Sequence, residues 1–216
     1  EEKPDVILNI VDGTNIERNL YLTTQLMELG TPVVLAVNMM DLVRKNGDSI
    51  DVKNLAADLG IATIEISALK NESTTQAAEL AVKAAKSKQE VVAPTIFSGE
   101  DQVAIDKIEN LTAGKVDARF AHWYAIKLFE RDSKVMESGR FKDVESQIKD
   151  IVSACEDHYD DDSESIVTNA RYEYIAKIIS SAVKKKAGKH AMTISDRIDR
   201  IVTNRWLGLP IFVVIM

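Results

Sequence analysis

The chain has 216 residues, enough for one or two domains, and 45% of them are hydrophobic, an ordinary supply for a globular core. With 27 Lys and Arg against 34 Asp and Glu, its formal charge of −7 excludes nucleic acid as the main partner, because such binding draws its free energy from neutralising phosphates. A single cysteine, Cys155, excludes an internal disulfide, fits a reducing compartment, and sits at a core-facing helical position as a packing residue.

The opening EEKPDV is charged where a secretory leader would need an apolar stretch. The first apolar run, VILNIV, follows at once and there is no initiator Met, so both ends are expected to be truncation points of a longer sequence. DVILNIVD reads as a strand ended by Asp12-Gly13. NIERNLYLTTQLMELG then carries Ile16, Leu20, Leu26 and Leu29 near helical spacing and stops at Gly30. After Pro32, VVLAVN is a second strand; residues 51–59 predict a helix ending at Gly60; ATIEISA is a third strand; and TTQAAELAVKAAKSKQE is a helix. Strand and helix in alternation predict a parallel sheet with crossover helices, whose ligands sit at the carboxyl ends of the strands.

Pro94 marks a change of character. Beyond it only helices are predicted: one through Ile105, Ile108 and Leu111, one through Phe120, Trp123, Tyr124 and Leu128, a third through Val144, Ile148, Ile151, Val152 and Cys155, and a fourth through Ala170, Tyr174, Ile178 and Ala182. Trp123 and the tyrosines at these spacings, Tyr124 and Tyr174, are read as core anchors. The fold class is therefore α/β followed by an all-α domain. The last stretch, RWLGLPIFVVIM, ends in an apolar run about half the length of a membrane helix. Its shortness and β-branched residues suit a buried strand, whereas Lys184, Lys185, Lys186, Lys189, Arg197, Arg200 and Arg205 ahead of it give the positive flank of a membrane span; both readings stand.

Two polar side chains, Asn38 and Asp41, follow the second strand in NMMD. A carboxylate there could accept from guanine N1–H and the N2 amine together, whereas adenine would leave it unpaired, a penalty of several kcal/mol on the order of that for stranded polar groups. Asn38 could tie the loop to its neighbours through its amide. An N-x-x-D spacing alone is weak, and an N-cap or Asx-turn would explain it as well. The third strand ends ISALK, however, placing Ser67 and Ala68 at the same sheet edge, where the Ala68 N–H could donate to guanine O6.

NMMD followed by ISALK resembles the fourth and fifth motifs of a G domain, and VDGTNIERNLYLTTQLMELGTPVVLAVNMMD closely resembles the bacterial ferrous iron transport protein B (FeoB) family. ISDRIDRIVTNRWLGLPIF is similar to that family's entry into its first membrane helix. The resemblance implies a guanine pocket carried by Asn38, Met39, Asp41, Ser67 and Ala68. Met39 replaces the Lys common in other GTPases and is frequent in this family; it offers packing without charge. Asn71 and Ser73 stand where Gly is often found in the loop after Lys70.

The resemblance also implies three parts: the C-terminal half of a G domain over 1–93, a helical regulatory domain over 94–190, and a juxtamembrane segment starting a transmembrane helix over 191–216. The partners it implies are GTP or GDP, the protein's own membrane domain and Fe2+ as the transported ion, at the cytoplasmic face of the bacterial inner membrane; a homo-oligomer is compatible with it. A soluble α/β nucleotide-binding or interaction module is the alternative.

Phosphoryl transfer needs a G-x-x-x-x-G-K-[ST] loop, a Mg2+ ligand and a residue ordering water. None is found: VDGTN is not a D-x-x-G switch, because Gly13 follows Asp12 directly, and Asp12-Gly13 reads as the turn ending a strand. In the family these parts lie upstream, with Mg2+, so the chain alone is expected not to hydrolyse GTP and no catalytic residue is assigned. The run EDHYDDDSES, residues 156–165, joins His158 to several carboxylates that could suit Fe(II), but it reads better as a solvated loop between helices, and no metal ligand is assigned. KKKAGKH, residues 184–190, suits a helix C-terminus near anionic lipid, and His122 and His190 are given no chemistry.

Overall fold

The computed structural model describes residues 4–87 and 93–186. Its first half alternates β1 (Ile7–Asp12), α1 (Ile16–Met27), β2 (Val33–Asn38), α2 (Met40–Asn46), β3 (Ser49–Ile50), α3 (Val52–Leu59), β4 (Ala62–Glu65) and α4 (Thr74–Lys86). A three-stranded parallel sheet has the order β1-β2-β4, with Ile7 opposite Val33 and Val34 opposite Ala62. The central strand is covered on both faces, which is why Val33 to Val37 is an unbroken apolar run rather than an alternating one. Edge strand β1 does alternate: Asn9 and Val11 are buried while Leu8 and Ile10 are exposed. The predicted parallel sheet with crossover helices is therefore present.

Local signals explain most element ends. Asp51 caps α3 by accepting from the Lys53 and Asn54 backbone N–H groups at 3.1 and 3.0 Å, and Gly60 closes that helix in the left-handed region at φ 69°. α1 ends at Met27, short of the expected Gly30. Its buried face consists of Ile16, Leu20, Thr23, Thr24 and Met27, the Thr23 hydroxyl accepting from the Asn9 side chain at 2.8 Å. The third strand stops at Glu65 rather than Ala68, because Ser67 leaves the sheet to bridge to Glu72.

The second half contains α5 (Glu100–Leu111), α6 (Ala121–Phe129), α7 (Ser133–Glu137), α8 (Glu145–Tyr159) and α9 (Ser163–Ala182), followed by β5 (Val183–Lys184). Phe97, Ile105, Ile108, Ile126, Phe129, Ile148, Val152 and Val167 form its core, packed against Trp123 and Tyr124 as expected. α9 belongs to two cores: Ile166 and Val167 pack in the helical half, while Ile175, Ile178 and Ala182 pack with Leu20 and Leu55 of the α/β half. From there β5 pairs antiparallel with β3, with Ser49 opposite Lys184 and Ile50 opposite Val183.

Where α9 crosses between the cores, Arg171 is fully buried. Its guanidinium donates to both oxygens of Glu28 at 3.2 and 2.8 Å and to Glu130 at 2.8 Å, and Glu130 also accepts from Lys127 at 2.6 Å. Desolvation works against the Arg171 charge, but the Glu28 and Glu130 carboxylates outweigh it and raise its pKa. Burial pushes the Glu28 carboxyl up and Arg171 pulls it back. We take the pair as ionised, because both carboxylate oxygens accept from the guanidinium fork.

The acidic run is not a loop throughout. Residues 156–159 complete α8 and 163–165 begin α9, so only a tight turn lies between them. Glu156 faces inward, accepting from Arg131 at 2.7 and 2.8 Å and from the Ser163 N–H at 3.0 Å, while Asp162 caps α9 through the Ser165 N–H at 2.9 Å. Two of the carboxylates are engaged in this way, while Asp157, Asp160, Asp161 and Glu164 are exposed at the turn as expected. Cys155 is buried, and burial lifts its thiol to about 11. DTNB at pH 8 is expected to leave it unmodified in the native protein and to label it fully in denaturant; native labelling at the rate of a free thiol would remove it from the core.

The predicted membrane-helix start and the residues Lys189, His190, Arg197, Arg200 and Arg205 lie outside the described residues. Among the described residues, no helix is long and apolar enough to cross a membrane.

Candidate functional site

The strands β2 and β4 are adjacent and parallel, so their carboxyl ends lie side by side. Asn38 is the last residue of β2. Met39 follows in the left-handed region at φ 62°, costly for a residue with a β-carbon, and this turn starts α2 at Met40 with Asp41 in its first turn. Met40 is buried while Met39 remains 40% exposed at the rim. The Met40 N–H reaches the Ile66 carbonyl at 3.4 Å, joining the two strand ends. Gly13 lies beneath them: a β-carbon there would stand 2.9 Å from the Asn38 carbonyl oxygen, so only glycine lets the turn after β1 approach this closely.

From β4 the chain forms a compact loop over residues 67–73. Ser67 and Glu72 exchange backbone hydrogen bonds at 3.1 and 3.0 Å, and the Lys70 and Asn71 N–H groups donate to the Ser67 and Ala68 carbonyls, both at 3.2 Å. Asn71 and Ser73 both take positive φ, 56° and 57°, so the loop adopts at these two residues the conformation glycine would favour. The Asn71 side chain accepts from Thr74 at 2.7 Å.

This loop closes on NMMD at three points. The hydroxyl of Ser67, itself 1% exposed, donates to Asp41 Oδ1 at 2.9 Å. The Ala68 N–H donates to Asn38 Oδ1 at 3.0 Å, so Asn38 does tie the loop down through its amide. Lys70 Nζ stands 3.9 Å from Asp41 Oδ2. Asp41 is held below the usual carboxylate range, first by the Ser67 hydrogen bond and then, against some desolvation, by its neighbouring N–H groups and Lys70. Arg44 of α2 braces the assembly by pairing with Glu65 of β4 at 2.7 Å.

Asn38 and Asp41 are thus each joined to the facing loop, Asn38 to Ala68 and Asp41 to Ser67, with Met39 between them in the chain. In one respect the geometry differs from the sequence expectation: the Ala68 N–H, expected to face guanine O6, is aimed at the Asn38 amide oxygen, which lies at the neighbouring strand tip within hydrogen-bond reach. Lys70 and Gly13 are parts of this site that residue patterns did not single out. The ion pair of Lys70 spans 29 positions, which no periodicity reveals; the small residue at 13 was legible only as a turn. Asp12 caps the 3-10 turn Gly13–Asn15, accepting from the Thr14 N–H at 2.8 Å, so its reading as a turn residue holds. His122, given no partner from sequence, contacts Glu109 at 3.1 Å. Among the described residues no group of three His, Cys, Asp or Glu side chains is placed to hold a metal ion.

Residues 1–81 match the family model described as Ferrous iron transport protein B, and residues 100–184 match that of the FeoB cytosolic helical domain. The chain is 33% identical over 231 residues to the Fe(2+) transport protein A/Fe(2+) transporter FeoB fusion protein of Porphyromonas gingivalis, and 31% identical over 216 residues to the Fe(2+) transporter FeoB of Escherichia coli K12. It covers 27% of each of these relatives, which in turn cover 100% and 98% of the chain. Among solved structures, a GDP-bound NFeoB variant from S. thermophilus superposes with a TM-score of 0.80 at 39% identity, covering 85% of this chain and 71% of that one. The mGMPPNP-bound NFeoB from S. thermophilus gives 0.78 at 37% identity, with 87% and 70% covered.

Proposed function

Because the chain belongs to the FeoB family of ferrous iron transport proteins, we propose that it is the cytosolic, guanine-nucleotide-binding part of a bacterial Fe2+ transporter. In this reading residues 1–93 are the C-terminal half of the G domain, 94–190 a helical regulatory domain, and 191–216 the approach to the first membrane helix. Fe2+ would be cargo of the whole protein, handled by its membrane domain, with the present residues on the cytoplasmic face. The contacts to phosphate and Mg2+ are assigned to sequence outside this chain, and with them any hydrolysis of GTP.

The observation that carries the reading is the junction of two strand tips, where Ser67 hydrogen-bonds to Asp41 and Ala68 hydrogen-bonds to Asn38. An ionised Asp41 is an acceptor-only group, matched to the N1–H and N2 amine of guanine; adenine would oppose it with a lone pair at N1. The Ala68 N–H would turn or share toward O6, and the exposed Met39 would supply apolar contact to the ring. Ser67 fixes one carboxylate oxygen, so that the pair of acceptors is oriented before the base arrives.

A fluorescent GDP analogue bound to the full-length gene product should be displaced by GDP at concentrations where ADP has no effect. Equal displacement by ADP would remove guanine recognition, and with it the role given to this junction.

A further inference from the structure

Both recognition groups of the proposed guanine site already have partners within the chain, and the partners have the chemistry of a guanine edge. Asp41, the acceptor for two N–H donors, faces the Lys70 ammonium at Oδ2, 3.9 Å away. The Ala68 N–H, the donor for O6, is satisfied by the amide oxygen of Asn38 at 3.0 Å. A cation therefore faces the carboxylate that would take the donors of the base, and an amide carbonyl takes the N–H that would serve O6.

We propose that Lys70, together with the Asn38 amide oxygen, is an internal stand-in for the guanine edge that the base must displace, so that Lys70 sets nucleotide affinity and release. This rests on the guanine reading above. The loop geometry makes the competition specific. The Lys70 N–H is bonded to the Ser67 carbonyl, and the Ser67 hydroxyl is bonded to Asp41, so the residue that orients the carboxylate also holds the backbone of its competitor. Ser67 and Lys70 address different oxygens of Asp41, Oδ1 and Oδ2. Guanine can share the first with the Ser67 hydroxyl, because a carboxylate oxygen accepts more than one hydrogen bond, but at the second its N–H donors meet the ammonium, a charge of the same sign as their own partial charge.

The Lys70 side chain is 54% exposed, so its pairing with Asp41 is of the weak, salt-sensitive kind. Replacing it should change affinity without unfolding the protein. In the full-length protein, Lys70→Gln is expected to bind GDP about two- to fivefold tighter at low ionic strength and to release it correspondingly more slowly. The advantage should shrink toward none near 1 M salt, where the Debye length is about 3 Å. Lys70→Arg should behave as the native protein. In an Asp41→Asn background probed with XDP, Lys70→Gln should change nothing, since the neutral amide offers Lys70 no counter-charge.

Weaker or unchanged GDP binding by Lys70→Gln at low salt would overturn the inference; weaker binding would mean that Lys70 contacts the nucleotide instead. These results are separable from failure of the guanine reading itself, which would appear as loss of GDP-over-ADP preference in the unsubstituted protein.

Discussion

Asp41→Asn is expected to weaken GDP binding by about 100- to 1000-fold and to turn the preference toward xanthine nucleotides. The magnitude follows from two charge-assisted hydrogen bonds, each contributing about 1.5–3 kcal/mol, one of them replaced by an amide donor that meets a donor on the base. Xanthine carries an oxygen at C2, an acceptor that suits the new amide. Because Asn offers an Oδ1 of its own, the hydrogen bond from Ser67 can persist and the 67–73 loop should keep its form. The effect would then report on the base rather than on a collapsed loop. Competition of GDP and XDP against a fluorescent nucleotide measures both quantities in one titration. A variant that kept its guanine preference would exclude Asp41 from base recognition.

Arg171→Met is expected to destabilise the fold by about 3–5 kcal/mol, measured by urea denaturation at pH 7.5. Its length is nearly conserved, so the loss comes from Glu28, 1% exposed, whose buried charge would lose its partner. Glu130 is less affected, because Lys127 still pairs with it at 2.6 Å. Adding Glu28→Leu should return much of the loss, since an apolar pair of similar volume needs no charge compensation. The pH dependence has a definite sign. Without Arg171, burial raises the folded-state pKa of Glu28 further above its unfolded value. A carboxyl raised in this way contributes stability that is fully present below the unfolded pKa and is lost as pH rises through the folded one. The gap between native and variant should therefore narrow as pH falls toward about 4.5. A gap independent of pH would show that lost packing, and not the Glu28 charge, causes the effect.

The position of this triad bears on how the two halves are joined. Glu28 directly follows α1, Glu130 directly follows α6, and Arg171 lies within α9, so one guanidinium ties elements of both cores. α9 then runs on into the α/β core and hands the chain to β5 beside β3. The helical half is consequently not a bead on a linker; its last helix completes the layer that covers α1 and α3. Sequence spacing showed α9 as one amphipathic helix but not that its apolar stripe changes partner midway, because periodicity records which face is buried and not against what.

Several elements escaped notice for related reasons. α2 and α7 are short, with seven and five residues, too few for a helical repeat to stand out. The two-residue strands β3 and β5 have no pattern of their own; they exist because Ile50 and Val183 meet across more than half the chain. The acidic corner was legible in part. Its composition gave the exposed turn between two helices, with Asp157, Asp160, Asp161 and Glu164 at the surface, but not that Asp162 would cap α9 or that Glu156 would pair with Arg131, roles decided by what lies within reach.

The amino-acid sequence by itself determined the parallel α/β layer, the helical half that follows it and the residues of the two strand-tip motifs. These depend on short-range regularities, namely period, turn chemistry and spacing, which a linear chain records directly. Only the tertiary structure decided that the Ala68 N–H meets the Asn38 amide, that Lys70 faces Asp41, and that Arg171 is buried among Glu28 and Glu130. Each is a hydrogen bond or charge pair between residues far apart in sequence, and its partner is chosen by distance and desolvation after the strands have aligned.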